Sequence, residues 1–224
     1  MAERRRFIGV ATPQANPTVE QELHQLLPPP AQVLATRLVS TAAQAEDRLV
    51  EYMRQLPDAL ASFDTLPLEL FLFGCTGSSY LVGPEVEDQI TRDVEADTRI
   101  PIITATQAIL AELRRRDVSR LAMLAPYPPW LIDAALRYWS LRGIAVTHSA
   151  RIDVGVDTRA IYAITPDQAL EAARAQDKNN APVLLLSGTG MPTLEVIDQL
   201  NRPVLSSNLC LGLQAQRRLR RQDS

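Results

Sequence analysis

Phe73-Gly74-Cys75-Thr76-Gly77 closes an apolar run and opens an amphipathic stretch, and Leu186-Ser187-Gly188-Thr189-Gly190 does the same in the second half of the chain. The offset of 113 that sets Gly188 on Cys75 also sets Val146 on Val33, and an offset of 114 sets Arg120-Leu121-Ala122 on Arg6-Phe7-Ile8. Each half then ends alike: Pro203-Val204-Leu205-Ser206-Ser207 resembles Pro101-Ile102-Ile103-Thr104-Ala105, at an offset shortened to 102 by deletions. A period this long is not that of a solenoid. It predicts an α/β protein of two pseudosymmetric lobes, each a parallel sheet flanked by helices, spanning residues 1–107 and 108–224, with the final helix free to return to the first lobe.

Outward from the repeat, short apolar runs alternate with amphipathic ones, the pattern of β-α units in a parallel sheet. Strands are predicted at Phe7–Ala11, Gln32–Leu38, Leu68–Phe73, Ile102–Ile103, Leu121–Ala125, Val146–Arg151, Val183–Leu186 and Val204–Leu205. The helices between them are Thr18–Leu27, Ala43–Leu56, Pro84–Ala96, Thr106–Arg116, Pro129–Arg142, Pro166–Ala175, Leu194–Leu200 and Leu209–Arg221. Asn16 caps the first, with Pro17 in its opening position.

Open parallel sheets bind ligands beyond the carboxyl ends of their strands. Here those ends are Thr12–Asn16 (with Pro13), Gly74–Tyr80, Pro126-Tyr127, Ser187–Gly190 and Ser206–Asn208, and two lobes facing each other would line one cleft with them. Small residues and hydroxyls dominate, without lysine or histidine. Cys75, before a glycine and hydroxyl-rich turn, is expected to have its thiol pKa lowered from about 8.5 toward neutrality by nearby N–H groups. Thr76, Gly77, Ser78, Gly188, Thr189 and Gly190 offer amides and hydroxyls for a small carboxylate, and Asn16, Tyr127 and Asn208 add donors at other strand ends. Cys210 reads as a packing residue of the last helix.

Composition narrows the chemistry. The chain has 224 residues, 46% hydrophobic and 22% charged, with a net charge of −3, so it has a full-sized core and no general field for nucleic acid or an anionic membrane. Its only lysine, Lys178, lies in a polar stretch unsuited to a Schiff base. His24 and His148 form no metal motif and no metal site is expected. Two cysteines suit a reducing compartment with free thiols. Arg4-Arg5-Arg6 is followed by too short an apolar run for an export signal, and no run approaches the roughly 18 apolar residues of a membrane span. A cytoplasmic protein is therefore expected, and the commonest closed assembly for it is a homodimer. Gly155–Ile164, with Asp157, Arg159 and Tyr162, reads as a solvated loop, the other reading being a connection folded over the cleft. Arg217–Arg221 reads as a solvated tail.

Thr12-Pro13-Gln14-Ala15-Asn16-Pro17-Thr18-Val19-Glu20, Gly74-Cys75-Thr76-Gly77-Ser78, Pro126-Tyr127-Pro128 and Ser187-Gly188-Thr189-Gly190-Met191-Pro192-Thr193-Leu194 together resemble the aspartate/glutamate racemase superfamily, nearest its maleate cis-trans isomerase and arylmalonate decarboxylase branch. The resemblance implies two pseudosymmetric lobes, no cofactor, a small carboxylate or dicarboxylate substrate and one catalytic position from each lobe. Cys75 matches the first position; Gly188 and Thr189 stand where two-thiol members carry the other cysteine. Arylmalonate decarboxylases keep one cysteine, in the second motif, the mirror of this chain. Three functions stay open: a maleate isomerase with Cys75 as single nucleophile and Tyr127 or Thr189 relaying a proton, a decarboxylase or racemase-like proton-transfer enzyme, and a non-catalytic metabolite binder.

Overall fold

The computed structural model describes residues 4–155, 158–176 and 178–222. Its first lobe runs β1 (Arg6–Pro13), α1 (Thr18–Leu26), β2 (Ala31–Leu38), α2 (Ala45–Arg54), α3 (Leu56–Ala61), β3 (Leu68–Phe73), α4 (Thr76–Val82), α5 (Pro84–Thr98), β4 (Ile102–Thr104) and α6 (Ala105–Arg115). The second runs β5 (Arg120–Ala125), α7 (Pro129–Leu141), β6 (Ala145–Arg151), a 3-10 helix (Thr158–Ala163), α8 (Pro166–Arg174), β7 (Leu184–Leu186), α9 (Leu194–Ile197), β8 (Val204–Ser206) and α10 (Ser207–Gln222).

The strands form two parallel four-stranded sheets of the same order, β2-β1-β3-β4 and β6-β5-β7-β8. Their registers coincide at the carboxyl end, where Ala11, Phe73 and Thr104 line up in one sheet and Leu124, Leu186 and Ser206 in the other. One backbone bond then repeats in each lobe: Gly74 N–H donates to Ala11 O at 2.8 Å, and Ser187 N–H to Leu124 O at 2.8 Å. Cys75 and Gly188 each follow directly, so the internal repeat is a repeat of position in space.

Strand alternation decides how the lobes share their cores. Along β5, Leu121, Met123 and Ala125 point into a core continuous with the first lobe, whereas Ala122 and Leu124 point into a smaller one under α8 and α9. Helix α10 crosses back: Leu211, Ala215 and Leu219 are buried in the larger core, and Gly212 brings the backbone so near Leu26 of α1 that a Cβ there would lie 2.6 Å from its side chain. The arginine-rich end is accordingly no free tail, since Arg217 pairs with the fully buried Glu112 of α6 and Leu219 O accepts from Arg6 at 3.0 Å.

Three elements depart from expectation. The stretch expected as one helix over Ala43–Leu56 is two, because Pro57 opens α3 and supplies no N–H to continue α2. Thr76–Val82 is a helix where Gly and Ser residues read as a turn; it is held by packing, with Tyr80 edge-on to Tyr127, Tyr138 and Trp139 at centroid distances of 6.1, 5.4 and 6.0 Å. Gly155–Ile164 is the third: Ile161 is buried and Thr158–Ala163 is a 3-10 helix against the inter-lobe cavity, so the solvated-loop reading is corrected. Asp157 lies outside the described residues, as does Asp177. Among the described residues no helix is long and apolar enough to cross a membrane.

Candidate active site

Facing strand ends enclose a cavity of about 50 Å³ between the lobes, room for one or two waters. Pro13 and Asn16 enter from β1, Cys75, Thr76 and Gly77 from β3 and α4, Tyr127 from β5, and Gly188, Thr189 and Gly190 from β7. Ser78 lies behind Cys75, and Asn208 lies one layer back, outside the lining. The walls also include Arg48, Leu49 and Tyr52 of α2, Leu131 of α7, and Arg159, Ile161 and Tyr162 of the 3-10 helix. The α2 residues fall at positions i, i+1 and i+4, a helix-face spacing that alone does not distinguish a cavity wall from a core face.

Cys75 is extended where β3 passes into α4, and its side chain is 4% exposed. Ser78 Oγ donates to Sγ at 3.1 Å, and the N–H groups of Gly77 and Ser78 also act on the sulfur. Burial nonetheless outweighs these donors and raises the thiol pKa, so the expected lowering is reversed. The reason is the depth of burial: donors that would activate an exposed thiol here only offset part of the cost of desolvating its anion. Tyr127 donates to or accepts from Thr76 Oγ1 at 2.6 Å, and burial pushes its phenol up to about 12. Cys210, the other free thiol, is fully buried in α10 and pushed by burial to about 12.

The second lobe presents no side chain at the position opposite Cys75. Gly188 holds φ +140, and a Cβ there would meet Ile161 and Pro126 at 3.2 Å. Thr189 is committed elsewhere: its hydroxyl donates to Gly74 O at 2.9 Å and accepts from Asn16 Nδ2 at 3.2 Å. Asn16 Oδ1 meanwhile accepts from the N–H groups of Thr18 and Val19 at 2.9 and 3.3 Å, so one side chain caps α1 and reaches across to the other lobe. Gly190 lies under the Tyr162 ring, which a Cβ there would approach to 2.6 Å.

A buried carboxylate that the motifs did not single out holds this loop in place. Glu22, 4% exposed, accepts from Thr193 N and Leu194 N at 2.5 and 2.9 Å and from Asn208 Nδ2 at 2.7 Å, and Asn208 Nδ2 also lies 3.0 Å from Thr189 O. Burial raises its pKa while these three groups and the Thr193 hydroxyl favour the anion. The available signal was its place on the stripe Thr18, Val19, Glu22 and Leu23, the buried face of α1.

Residues 8–223 match the family model of arylmalonate decarboxylase. Maleate isomerase of Nocardia farcinica is 26% identical over 216 residues, covering 90% of this chain and 85% of that protein. Among solved structures, a cysteine-to-serine variant of the Nocardia farcinica maleate cis-trans isomerase with a covalently bound succinylcysteine intermediate superposes at a TM-score of 0.84 with 21% identity, covering 97% of this chain and 94% of that one. Arylmalonate decarboxylase superposes at 0.73 with 20% identity, covering 94% and 91%. The likeness at this identity is one of fold.

Proposed function

The chain belongs to the arylmalonate decarboxylase family, and from that premise we propose that it is a cofactor-independent isomerase of a small unsaturated dicarboxylate such as maleate, with Cys75 as its single nucleophile. One observation carries the reading: a thiol met by three donors lies in the inter-lobe cavity, with a bare glycine opposite. The covalent succinylcysteine of the Nocardia enzyme supports it by analogy.

The chemistry needs no net proton transfer at carbon. The Cys75 thiolate adds to one alkene carbon, forming an S–C bond while the π pair moves onto the neighbouring carboxylate as an enediolate. Asn16, Tyr127, Thr76, Gly77 and Gly190 line the same cavity, and we assign the donors to such an oxyanion among them. The remaining single C–C bond rotates, the electron pair returns, the S–C bond breaks and the trans acid leaves with the thiolate restored. Opposite Cys75, Gly188 has no side chain and the Thr189 proton is held by Gly74 O, so that face lacks an acid or base of its own. Admission of substrate must widen the cavity, and the thiol loses its proton to bulk solvent before the thiolate adds, so turnover should rise with pH above neutrality.

The raised pKa of Cys75 favours one other reading, proton donation. In decarboxylation of a 2-substituted malonate the C–C bond to the departing carboxyl breaks, its pair remains as an enediolate, carbon dioxide leaves, and the Cys75 S–H protonates carbon before water restores the thiol. Incubation of maleate and of a 2-substituted malonate with the enzyme in deuterium oxide separates the two. Fumarate without carbon-bound deuterium is expected, with no turnover by Cys75→Ala. Deuterium in the product, or carbon dioxide release from the malonate, would replace the first reading by the second, and full turnover by Cys75→Ala would overturn both.

A further inference from the structure

Three phenols line the inter-lobe cavity, and the walls account for only one of them. The Tyr127 hydroxyl bonds to Thr76 Oγ1 at 2.6 Å. Tyr52, from α2 of the first lobe, and Tyr162, from the 3-10 helix of the second, are the others. Tyr52 is 6% exposed, and Tyr162 is half-buried with its ring against Gly190. Among the described residues neither hydroxyl has a hydrogen-bond partner. Their oxygens share one space with the sulfur, since a charge on Cys75 acts on both phenols and one on Tyr52 acts on Tyr162. Burial, and after it the sulfur, raises both phenols above the ordinary tyrosine range, so each is a protonated donor at neutral pH.

Phenylalanine would supply the same ring at either position, and a hydroxyl enclosed without a partner costs the free energy of the bond it does not make. An acceptor that arrives with the ligand accounts for both oxygens. A carboxylate suits two such donors best: it carries two acceptor oxygens, and a charged acceptor roughly doubles the strength of each bond. Leu49, Leu131 and Ile161 add apolar surface to the same walls, and the low dielectric they provide strengthens such bonds further. Resting on the carboxylate-substrate reading above, we propose that the Tyr52 and Tyr162 hydroxyls receive the second carboxylate of a dianionic substrate, while the strand-end residues around Cys75 hold the first. One donor comes from each lobe, so a dianion ties the lobes together, whereas a monoacid with an apolar substituent leaves both hydroxyls unpaired. Preference for diacids over 2-substituted monoacids is then a property of two phenol oxygens.

Succinate and butyrate have the same four-carbon length, lack the reactive double bond and differ by one carboxylate. Isothermal titration of both at neutral pH into the wild-type protein, Tyr52→Phe and Tyr162→Phe tests the assignment. The wild-type protein is expected to bind succinate about tenfold or more tighter than butyrate. Each phenylalanine variant keeps its ring, and in each that ratio falls toward one while butyrate affinity is kept. A role in packing alone would weaken both acids alike and leave the ratio where it was. Tyr162 is half-buried, so its variant remains informative should the buried Tyr52→Phe fail to fold. Equal binding of the two acids by the wild-type protein, or an unchanged ratio in either variant, overturns the phenol assignment and leaves the carboxylate site around Cys75 standing. Binding of neither acid overturns both readings.

Discussion

Asn16 Nδ2 lies 3.2 Å from Thr189 Oγ1, joining the end of the first strand to the loop that stands opposite the thiol. The same side chain caps α1 through its other atom. Its two duties are separable. Asn16→Ala should lower stability by about 1–2 kcal/mol in urea unfolding, from the lost cap and the unpaired hydroxyl. Asn16→Asp keeps an acceptor for the cap and should stay within about 1 kcal/mol of wild type, while turnover of maleate falls because the donor to the second lobe is gone. Equal stability loss in both variants would show that the cap is not what Asn16 contributes.

Glu22 binds the N–H groups of Thr193 and Leu194 and the Asn208 amide, all donors. Glu22→Gln turns part of that acceptor into a donor facing donors, and should cost about 2–4 kcal/mol of unfolding free energy. Because Asn208 continues to Thr189 O, the variant should also raise KM. A neutral substitution would mean that water satisfies these groups.

Gly190→Ala pushes a methyl group into the Tyr162 ring, whose nearest atom would stand 2.6 Å away. The ring must swing aside, opening the cavity. Faster alkylation of Cys75 by iodoacetamide is expected, with weaker substrate binding; an unchanged alkylation rate would show that Tyr162 does not shield the sulfur.

Cys210 carries a folded-state pKa of about 12, above the roughly 8.5 of an unfolded thiol. A raised pKa means that its contribution to stability is fully present below the unfolded value and is lost as pH rises through the folded one. Stability should therefore decline between about pH 8.5 and 12, by a limiting slope on the order of 1 kcal/mol per pH unit. Cys75 and Tyr127 act in the same direction. Cys210→Ala should be less stable at pH 8 and flatter with pH; an unaltered slope would assign the decline to the other groups.

Much of the fold was legible because both signals that carried it are local. Apolar runs such as Leu68–Phe73 and Leu121–Ala125, bounded by turn residues, read as strands, and the motifs that close them recur in the same order, so two like lobes followed from the repeat, whereas the strand order within each sheet did not. The strand-end loops likewise put Pro13, Asn16, Cys75, Tyr127 and Gly188 to Gly190 at one cavity. What was not legible depends on distant partners. The Cys75 pKa turns on how completely Tyr162, Ile161 and their neighbours exclude water, which no spacing states. Arg48 looks like one more arginine on an amphipathic helix until α2 is seen beside the cavity, and helix α4 forms against its own composition because Tyr80 finds three aromatic neighbours.

Helix α10 completes a wall that α1 and α6 begin. On the ribosome this makes the first lobe dependent on a helix made only after the second sheet. While the second half is translated, at roughly 5–20 residues per second, Leu26 has no α10 to cover it. The nascent first lobe thus spends seconds with an apolar flank open to chaperones or to neighbouring chains, and its final closure waits until α10 has left the exit tunnel.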